Sequence, residues 1–432
     1  MLAGRSLPLV LSSAAMFATW FGSETVFGAS SEFLKGGLYG VIEDPFGAAL
    51  CLVLFGAFFA RKLYHMNLLT LGDFFKIRYG KSTELTACLF LAIPYVGYIA
   101  AQLVAMGLIL NVVTGIAVWQ AVTLSAIVVT LYTYVGGMWA ISITDFIQSI
   151  IIILGLIVVA VILADKAGGW TTVLNHIPER DLQFFPSFDG HEMVAYVAAW
   201  SVLGLGSLPS QDVFQRSMSS GSAKTAVWSC YVAAGLYLTI AMLPIFISLC
   251  ARQLYGDQLD SDTQLALPNM VLRHTALPIQ ILFFGSLLSA IMSTASSAIL
   301  APASIFSENI VKPLFKHKLD DQHLLLLTKI SVLVFSAIAT AMACIRSNIY
   351  ELVGESSILS LVSLFVPLTL GLYWKKANHV GALLSMVVGM LTWIIFEVYE
   401  TAWPSLVPAT LASLVAMVAG SMAWSMKESK RV

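Results

Sequence analysis

The chain has few charged residues for its length. Only 11% of its 432 residues are Asp, Glu, Lys or Arg, whereas soluble domains contain about 25%. The net charge is −1, so no basic excess indicates a nucleic-acid partner. With 58% hydrophobic residues and a mean hydropathy of +0.86, the composition is typical of a chain that crosses a membrane many times.

Sequence signatures of catalysis and of metal binding are missing. The chain has no GxSxG, HExxH or Walker A pattern, and its five cysteines show neither zinc nor disulfide spacing. The seven histidines fall in loops or at the ends of apolar runs. These absences predict that the protein is not an enzyme, and they give no support to an ATP-driven pump.

Apolar runs of about 20 residues divide the chain into twelve candidate transmembrane helices. They cover residues 7–34, 45–62, 84–113, 119–136, 142–164, 191–213, 223–250, 278–306, 324–345, 351–374, 380–398 and 406–425. Sixteen Lys and Arg residues fall on one side of this topology and six on the other, which predicts that both termini are cytoplasmic. We therefore expect an all-α polytopic protein in the cell's inner (plasma) membrane, with no obligatory protein partner.

Two of the twelve runs are interrupted near their centres. The first contains Gly22, Ser23 and Glu24, which puts a carboxylate at hydrocarbon depth at a cost of ~2.5–3.5 kcal/mol or more. The sixth contains residues 204–210 (GLGSLPS), and Gly and Pro disfavour a helix interior by ~1 and ~3 kcal/mol. Interrupted helices at matching places in two halves indicate a transporter binding site. The alternatives are a Glu satisfied by a neighbouring helix and two unrelated kinks.

The positions of the two breaks predict an internal repeat. Each half contains five helices, and because five is odd the halves insert with inverted topology. The predicted ten-helix core is residues 1–374, with one repeat over about 7–164 and the other over about 191–374. Residues 375–432 add two helices and a short cytoplasmic tail.

The eighth run contains hydroxyl residues suited to a monovalent cation. Ser293 and Thr294 are adjacent, and the carbonyl of Ala290 lies one turn earlier on the same side of a helix. Together with carbonyls of Gly22 and Thr25 in the first break, these oxygens predict a sodium site. The alternative is that the small residues of this run serve close helix packing.

Two acids and a set of aromatic and hydroxyl residues complete the candidate site. Glu24 and Asp145 are predicted to line an ion pathway, although Asp145 is equally well explained as an acid at the start of a helix. Glu43 and Asp44 are interpreted as solvated loop acids; the alternative is that they lie in the outer mouth and favour a cationic ligand. The predicted solute contacts are Trp20, Phe21, Phe27, Tyr95, Tyr98, Trp200, Ser207 and Ser210. The aromatic members otherwise serve as packing or interface anchors.

Several short motifs resemble those of the sodium/solute symporter family, whose members carry proline, sugars, vitamins, iodide or choline. They are residues 3–8 (AGRSLP), 71–75 (LGDFF), 132–137 (YTYVGG) leading to Asp145, 209–216 (PSQDVFQR) and 289–294 (SAIMST). The resemblance implies a LeuT-type inverted-repeat fold with Na⁺ as the coupling ion. It places sodium ligands at Ala290, Ser293, Thr294, Gly22 and Thr25, and functional acids at Glu24 and Asp145.

The chain departs from that family in two respects. Members usually carry a further helix before the AGRS-like loop, whereas the resemblance begins at this loop and gives twelve spans rather than thirteen. The motif similarity around residues 209–216 is strongest to the choline-carrying branch, which has Trp at the position of Ser210 and near that of Val41. Because a quaternary ammonium favours an aromatic cage, the loss of both Trp argues against choline.

These observations predict a sodium-coupled importer of a small organic solute that works by alternating access. An amino acid is the first candidate, because the N-terminus of a half-helix suits a carboxylate. Two alternatives stay open. A sensor or receptor that retained the transporter core would carry a long cytoplasmic extension, and only seven residues follow the last predicted span. A proton-coupled carrier would use Glu24 as its relay.

Overall fold

The computed structural model describes residues 3–133, 138–256, 263–312, 321–399 and 401–429. In these ranges the chain is helical, and its β-type pairing is limited to an isolated bridge between Leu7 and Ser220. Nine of the described helical segments are long and apolar enough to cross a membrane, and a pair bent by 50° makes a tenth. The predicted all-α polytopic architecture is confirmed, and the count of twelve spans stays a prediction. Residues 134–137 of the YTYVGG motif lie outside the described ranges.

The first ten α-helices carry the first break. They are α1 (Leu9–Trp20), α2 (Ser30–Gly40), α3 (Ala48–Leu54), α4 (Arg61–His65), α5 (Leu71–Tyr79), α6 (Lys81–Ala92), α7 (Pro94–Thr114), α8 (Val118–Thr133), α9 (Met138–Lys166) and α10 (Trp170–Asn175). α1 has only 12 residues, about 18 Å of helix at 1.5 Å per residue. It therefore reaches about half-way across the ~30 Å hydrocarbon layer before the break.

The remaining helices carry the second break. They are α11 (Gly190–Gly206), α12 (Gln211–Met218), α13 (Ala223–Ile240), α14 (Met242–Tyr255), α15 (Ala266–His274), α16 (Leu277–Ile305), α17 (Asp321–Ile345), α18 (Ile349–Ser360), α19 (Val366–Tyr373), α20 (His379–Val398) and α21 (Leu406–Ser429). α11 and α12 form the bent pair. The last two helices pack against each other, where the hydroxyl oxygens of Ser385 and Ser413 are 2.8 Å apart.

Single π-helical turns interrupt or join several of the described helices. They are Glu24–Ala29, Ile42–Gly47, Phe55–Ala60, Phe306–Val311 and Leu361–Phe365. Such turns are frequent at functional sites, because they change the direction of the side chains that follow. The first of them continues the chain directly after the break that ends α1.

The segment before α1 is hydrogen-bonded to the segment after α12. The amide of Leu7 donates to the carbonyl of Ser219 at 3.1 Å, and the amide of Gly221 donates to the carbonyl of Leu7 at 2.9 Å. One turn into α1, the hydroxyl oxygens of Ser12 and Ser220 are 2.9 Å apart. The first half-helix of one break is thus hydrogen-bonded to the second half-helix of the other.

Candidate solute and ion site

The first break places a buried carboxylate beside polar groups of α7. α1 ends because Phe21 has a non-helical conformation (φ −82°, ψ 82°). Glu24 follows with 3% exposure, and its carboxylate accepts from Gln102 at 3.1 Å, Ser23 at 3.2 Å and Tyr98 at 3.4 Å. No Lys, Arg or His nitrogen of the described residues lies within 4 Å of Glu24. The carboxyl group of Glu24 is therefore hydrogen-bonded by neutral groups, and no cation of the described residues pairs with it.

Gly22 allows this packing at the break. A Cβ at this position would lie 3.2 Å from Oε1 of Gln102 and 3.4 Å from Oε2 of Glu24. Both distances are at or below the close end of carbon–oxygen contacts, so a larger residue would displace the groups that hold the carboxylate. The glycine is thus explained by close approach as well as by the end of the helix.

The second break presents the start of α12 to the same region. The chain leaves α11 at Gly206, where a Cβ would lie 2.4 Å from the carbonyl oxygen of Ser357, so α11 and α18 are in close contact. Asp212, in the first turn of α12, accepts from the hydroxyl of Tyr95 at 2.8 Å, and its own amide donates to that hydroxyl at 3.0 Å. Tyr95 therefore satisfies a free amide at this helix start.

A cleft lies between the two breaks. Its lining residues are Trp20, Glu24, Leu91, Pro94, Tyr95, Tyr98, Leu203, Ser207, Pro209, Ser210, Asp212, Val353, Ser356, Ser357 and Ser360. The lining contains two carboxylates, three aromatic rings and several hydroxyls, and no Lys or Arg. Concave sites lined mainly by apolar and aromatic side chains, with a few polar groups, are typical of small-molecule binding.

The structure brings together five of the eight residues predicted to contact solute. Trp20, Tyr95, Tyr98, Ser207 and Ser210 all line the cleft. The three others are absent from its lining.

Those three pack elsewhere. Phe21 stacks on Phe17 with ring centroids 4.9 Å apart, and Phe27 is fully buried. Trp200 packs against Phe46 and Phe184, each at a centroid distance of 6.3 Å. These aromatic residues serve helix packing in this conformation.

The eighth-helix hydroxyls lie where α16 meets α1. Oγ1 of Thr294 is 3.1 Å from the carbonyl oxygen of Ala18 and 3.2 Å from that of Ala290. Three oxygens from two helices thus face one another, with Thr294 3% exposed. This donor set suits a dehydrated monovalent cation.

Of the two predicted first-helix ligands, neither provides the carbonyl that faces Thr294. The carbonyl of Gly22 accepts from the amide of Val26 at 3.2 Å. Thr25 lies in the π-helical turn after the break, and its hydroxyl contacts Tyr237 on α13; sodium ligation by the carbonyls of Gly22 and Thr25 stays a prediction. Ala18 is a further candidate ligand that residue type does not reveal, because a backbone carbonyl has no sequence signature. The available signal was that the last turn of a helix has carbonyls without intrahelical partners.

Asp145 and Ser293 form a second, charge-balanced group. The hydroxyl of Ser293 donates to Asp145 at 2.5 Å, and Arg216 lies 3.4 Å from the same carboxylate. Arg216 also donates to Ser297 at 2.8 Å and to Thr19 at 3.0 Å. Asp145 is the eighth residue of α9, beyond the first turn in which the helix dipole acts. Its position therefore does not support the explanation as a helix-start acid.

Two buried polar residues had been placed at the surface. The sixteen basic residues assigned to the cytoplasmic side include Arg216, yet it is 2% exposed and belongs to α12. Asp44 had been interpreted as a solvated loop acid, yet it is fully buried at the start of α3's span. The length of an apolar run does not predict the burial of either residue, because polar residues that face the protein interior shorten the run.

Comparison with known proteins agrees with this geometry. The family model described as the sodium:solute symporter family matches residues 1–389. The human high affinity choline transporter 1 is 31% identical over 416 residues, covering 90% of this chain and 69% of the relative. The Bacillus subtilis high-affinity proline transporter PutP is 28% identical, covering 76% of this chain and 71% of the relative.

Among solved structures, a Na⁺-coupled sialic acid symporter in a substrate-bound outward-open state has a similar fold. Its TM-score is 0.83 at 19% identity, covering 97% of this chain and 91% of that one. The amino-acid-bound structure of MhsT is more distant, with a TM-score of 0.56 at 15% identity. A family model that spans nearly the whole chain, with relatives that are transporters rather than enzymes, decides the assignment. The protein belongs to the sodium:solute symporter family.

Proposed function

We propose that this sodium-coupled importer carries a small organic amine, protonated at neutral pH, across the membrane. The observation that carries the proposal is the lining of the cleft, which holds Glu24 and Asp212 but no basic side chain. A buried carboxylate without a cationic partner is costly. A protonated amine in the cleft supplies the missing charge.

The arrangement favours an ammonium that still carries N–H groups. Trp20, Tyr95 and Tyr98 line the cleft, and aromatic faces attract cations by ~0.5–2 kcal/mol. The carboxylate of Glu24 and the hydroxyl of Ser210 accept hydrogen bonds, which a quaternary nitrogen cannot donate. Ser210 thus replaces part of an aromatic cage by an acceptor.

An amino acid is the second candidate, and the proline transporter among the relatives favours it. Its carboxylate would have to bind near the start of α12, the position predicted from the sequence. There Tyr95 accepts from the amide of Asp212, and the Asp212 carboxylate accepts from the amide of Val213 at 3.0 Å. These contacts use the amides that would hold a carboxylate and add a negative charge, so the amine is the better fit.

Sodium provides the driving force in this proposal. An ion held by Thr294, Ala290 and Ala18 would join α16 to α1 and favour the conformation that receives solute, before closure and inward release. One charge moved through 100 mV is worth ~2.3 kcal/mol, and a tenfold sodium gradient adds ~1.4 kcal/mol. Each sodium thus supports about 500-fold accumulation of solute.

The wider architecture is proposed as predicted from the sequence. Two inverted repeats, over about 7–164 and 191–374, would rock around the two breaks, and residues 375–432 would lie outside the repeats. Both termini would face the cytoplasm from the plasma membrane, and no protein partner would be required. The distribution of basic residues, fifteen to six without the buried Arg216, supports this orientation.

The test is solute uptake into proteoliposomes with the sodium and pH gradients imposed separately. A thermal-shift screen of primary and secondary amines, quaternary amines and amino acids, with and without sodium, selects the solutes. We expect sodium-driven uptake of an N–H-bearing amine. Uptake of amino acids but not of amines would show that the second candidate, an amino acid, is the solute. Uptake that is driven by the pH gradient and unchanged without sodium would support a proton-coupled carrier, and binding without uptake would support a receptor.

A further inference from the structure

A short segment between α10 and α11 carries exposed apolar side chains. It covers residues 182–188, and we call it the aromatic strap. Phe188 is fully exposed, Phe185 is 71% exposed and Leu182 is 53% exposed. The strap ends directly before Asp189, which caps the N-terminus of α11. Because α11 begins a bent membrane span, the strap lies at the level where the chain enters the bilayer.

Side-chain hydrogen bonds fix the backbone of the aromatic strap around its two exposed rings. The amide of Ser187 donates to the carboxylate of Glu192 at 3.0 Å, and the Ser187 hydroxyl contacts the same carboxylate. The side-chain amide of Gln183 donates to the carbonyl of Phe185 at 3.3 Å. The polar groups of the strap thus bond to the protein, while the rings of Phe185 and Phe188 face outward.

One ring of the aromatic strap faces the protein instead. Phe184 packs against Phe46 with ring centroids 4.8 Å apart, against Trp200 at 6.3 Å and against Tyr196 at 6.4 Å. These partners belong to the turn before α3 and to α11. The strap therefore has an apolar attachment on its inner side and an unpartnered aromatic surface on its outer side.

The residue before the aromatic strap is attached to α2. Asp181 is 2% exposed, and Arg252 contacts both its carboxylate and the carbonyl of Leu34 on α2. Gly37 of α2 has a φ of +61°, and a Cβ there would lie 2.4 Å from the Cα of Asp181. Only glycine allows this contact. The strap thus begins on the half-helix that follows the first break.

The outer surface of the aromatic strap is continuous with the lipid-facing surface of α11. Met193 is 42% exposed and Val197 is 58% exposed, and residues four apart lie on the same face of a helix. Apolar residues exposed on a membrane span face lipid. Aromatic residues that directly precede such a span concentrate at the membrane–water interface. This continuity favours the bilayer as the partner of Phe185 and Phe188.

The charges near the aromatic strap select the type of lipid. Residues 179–192 contain four acids and a single arginine. Anionic headgroups attract basic segments, so this acidic excess disfavours them. The surface therefore fits the headgroup layer of zwitterionic phospholipids, which aromatic rings enter without a need for basic residues.

We infer that the aromatic strap inserts Phe185 and Phe188 into the zwitterionic headgroup layer and thereby anchors α2 to the membrane surface. α1 is hydrogen-bonded to the segment after α12, whereas α2 is attached to the strap. The two half-helices of the first broken span thus have different attachments, one to the protein and one to the bilayer. This inference does not depend on which solute the cleft binds.

The experiment measures the depth of a nitroxide label in nanodiscs that contain phosphatidylcholine and one protein each. The label is placed at Phe185→Cys or Phe188→Cys, so that the other ring stays, after Cys344→Ser removes the exposed cysteine among the five. Collisions with oxygen and with a water-soluble nickel chelate should place both labels ~5–10 Å inside the headgroup layer. A label at Glu179→Cys, an exposed position, is the matched control and should stay in water.

Labels at Phe185 and Phe188 that are as accessible to nickel as the control would overturn the inference. Shielding that requires two proteins in one disc would also overturn it and would assign the aromatic strap to a second copy of the chain. Adding anionic phosphatidylglycerol should leave the depth unchanged or reduce it. A depth that increases with phosphatidylglycerol would contradict the choice of zwitterionic lipid.

A second label tests the anchoring of α2. Gly36 of α2 is exposed, and a side chain there meets no atom within 4 Å. In bilayers, a label at Gly36→Cys should become more mobile when Phe185→Ser and Phe188→Ser are combined. Ile345→Ser, which changes an equally exposed residue at the end of α17, should have no effect. Equal mobility with and without the two rings would show that the strap does not anchor α2.

Discussion

Asp145 and Glu24 are two buried carboxylates whose surroundings differ in charge. Asp145 is paired with Arg216 and receives a hydroxyl from Ser293. Glu24 is surrounded by Ser23, Tyr98 and Gln102, which are neutral. The first carboxylate has a cationic partner within the protein, and in our proposal a ligand supplies the cation for the second. A buried acid is therefore evidence of binding only after its partners have been counted.

The largest effect should come from removing the cation of the balanced pair. Arg216→Met leaves the Asp145 charge buried and unpaired, which costs ~3–5 kcal/mol of unfolding free energy. We expect a much lower Tm in detergent. The double variant Asp145→Asn with Arg216→Met should recover most of the loss. Equal losses in the single and double variants would show that the ion pair is not what Arg216 contributes.

Removing the unbalanced charge should have the opposite effect on stability. Glu24→Gln relieves a buried charge, so the solute-free protein should unfold at the same or a higher temperature. Apparent affinity for an amine should fall about 30-fold, which corresponds to ~2 kcal/mol, because the charge-assisted hydrogen bond is lost. The measurements are thermal unfolding and uptake kinetics, with Glu351→Gln at an exposed position as the control. A destabilised Glu24→Gln protein would contradict the comparison.

A smaller effect separates the adjacent hydroxyls of α16. Thr294→Ala should raise the sodium concentration for half-maximal uptake about tenfold, since one hydrogen-bonding group is worth ~1–1.5 kcal/mol. Thr294→Ser keeps the hydroxyl and should behave as the parent. Ser293→Ala should affect stability more than sodium dependence, because its hydroxyl donates to Asp145. Equal sodium curves for Thr294→Ala and parent would remove Thr294 from the ion site.

The smallest effect distinguishes cleft aromatics from packing aromatics. Trp20→Leu should lower solute affinity about fivefold, in line with a cation–π contribution of ~1 kcal/mol. Trp200→Leu should leave it within about twofold, because Trp200 packs against Phe46 and Phe184. Direct binding titration with a selected amine measures both. An equal loss in the two variants would place solute outside the cleft.

Much of the fold was predictable because membrane helices follow from hydropathy and the breaks from Gly and Pro. The sequence also indicated where hydroxyls of α16 and the aromatics of α7 would meet the first break, since these side chains have distinct chemistry. The described cleft brings Tyr95, Tyr98 and Ser207 together as that interpretation required. Their roles in binding stay a prediction.

The rest depends on three-dimensional contacts that residue type does not reveal. Any residue near a helix end offers the same carbonyl, so Ala18 could not be chosen over Gly22. Arg216 lies beyond the apolar run, and only the packing of α12 against α1 and α16 shows that its guanidinium is buried. Asp44 was misjudged for the same reason. Polar residues at span ends need their neighbours before they can be assigned to water or to the interior.

The hydrogen bonds of Leu7 with Ser219 and Gly221 have a mechanical consequence. They couple α1 and α12, so neither half-helix can tilt far without stretching main-chain bonds to the other. We expect the two half-helices to move as one rigid body when the cleft changes its access from one side of the membrane to the other. A ligand that binds only to α1 would therefore move α12 as well.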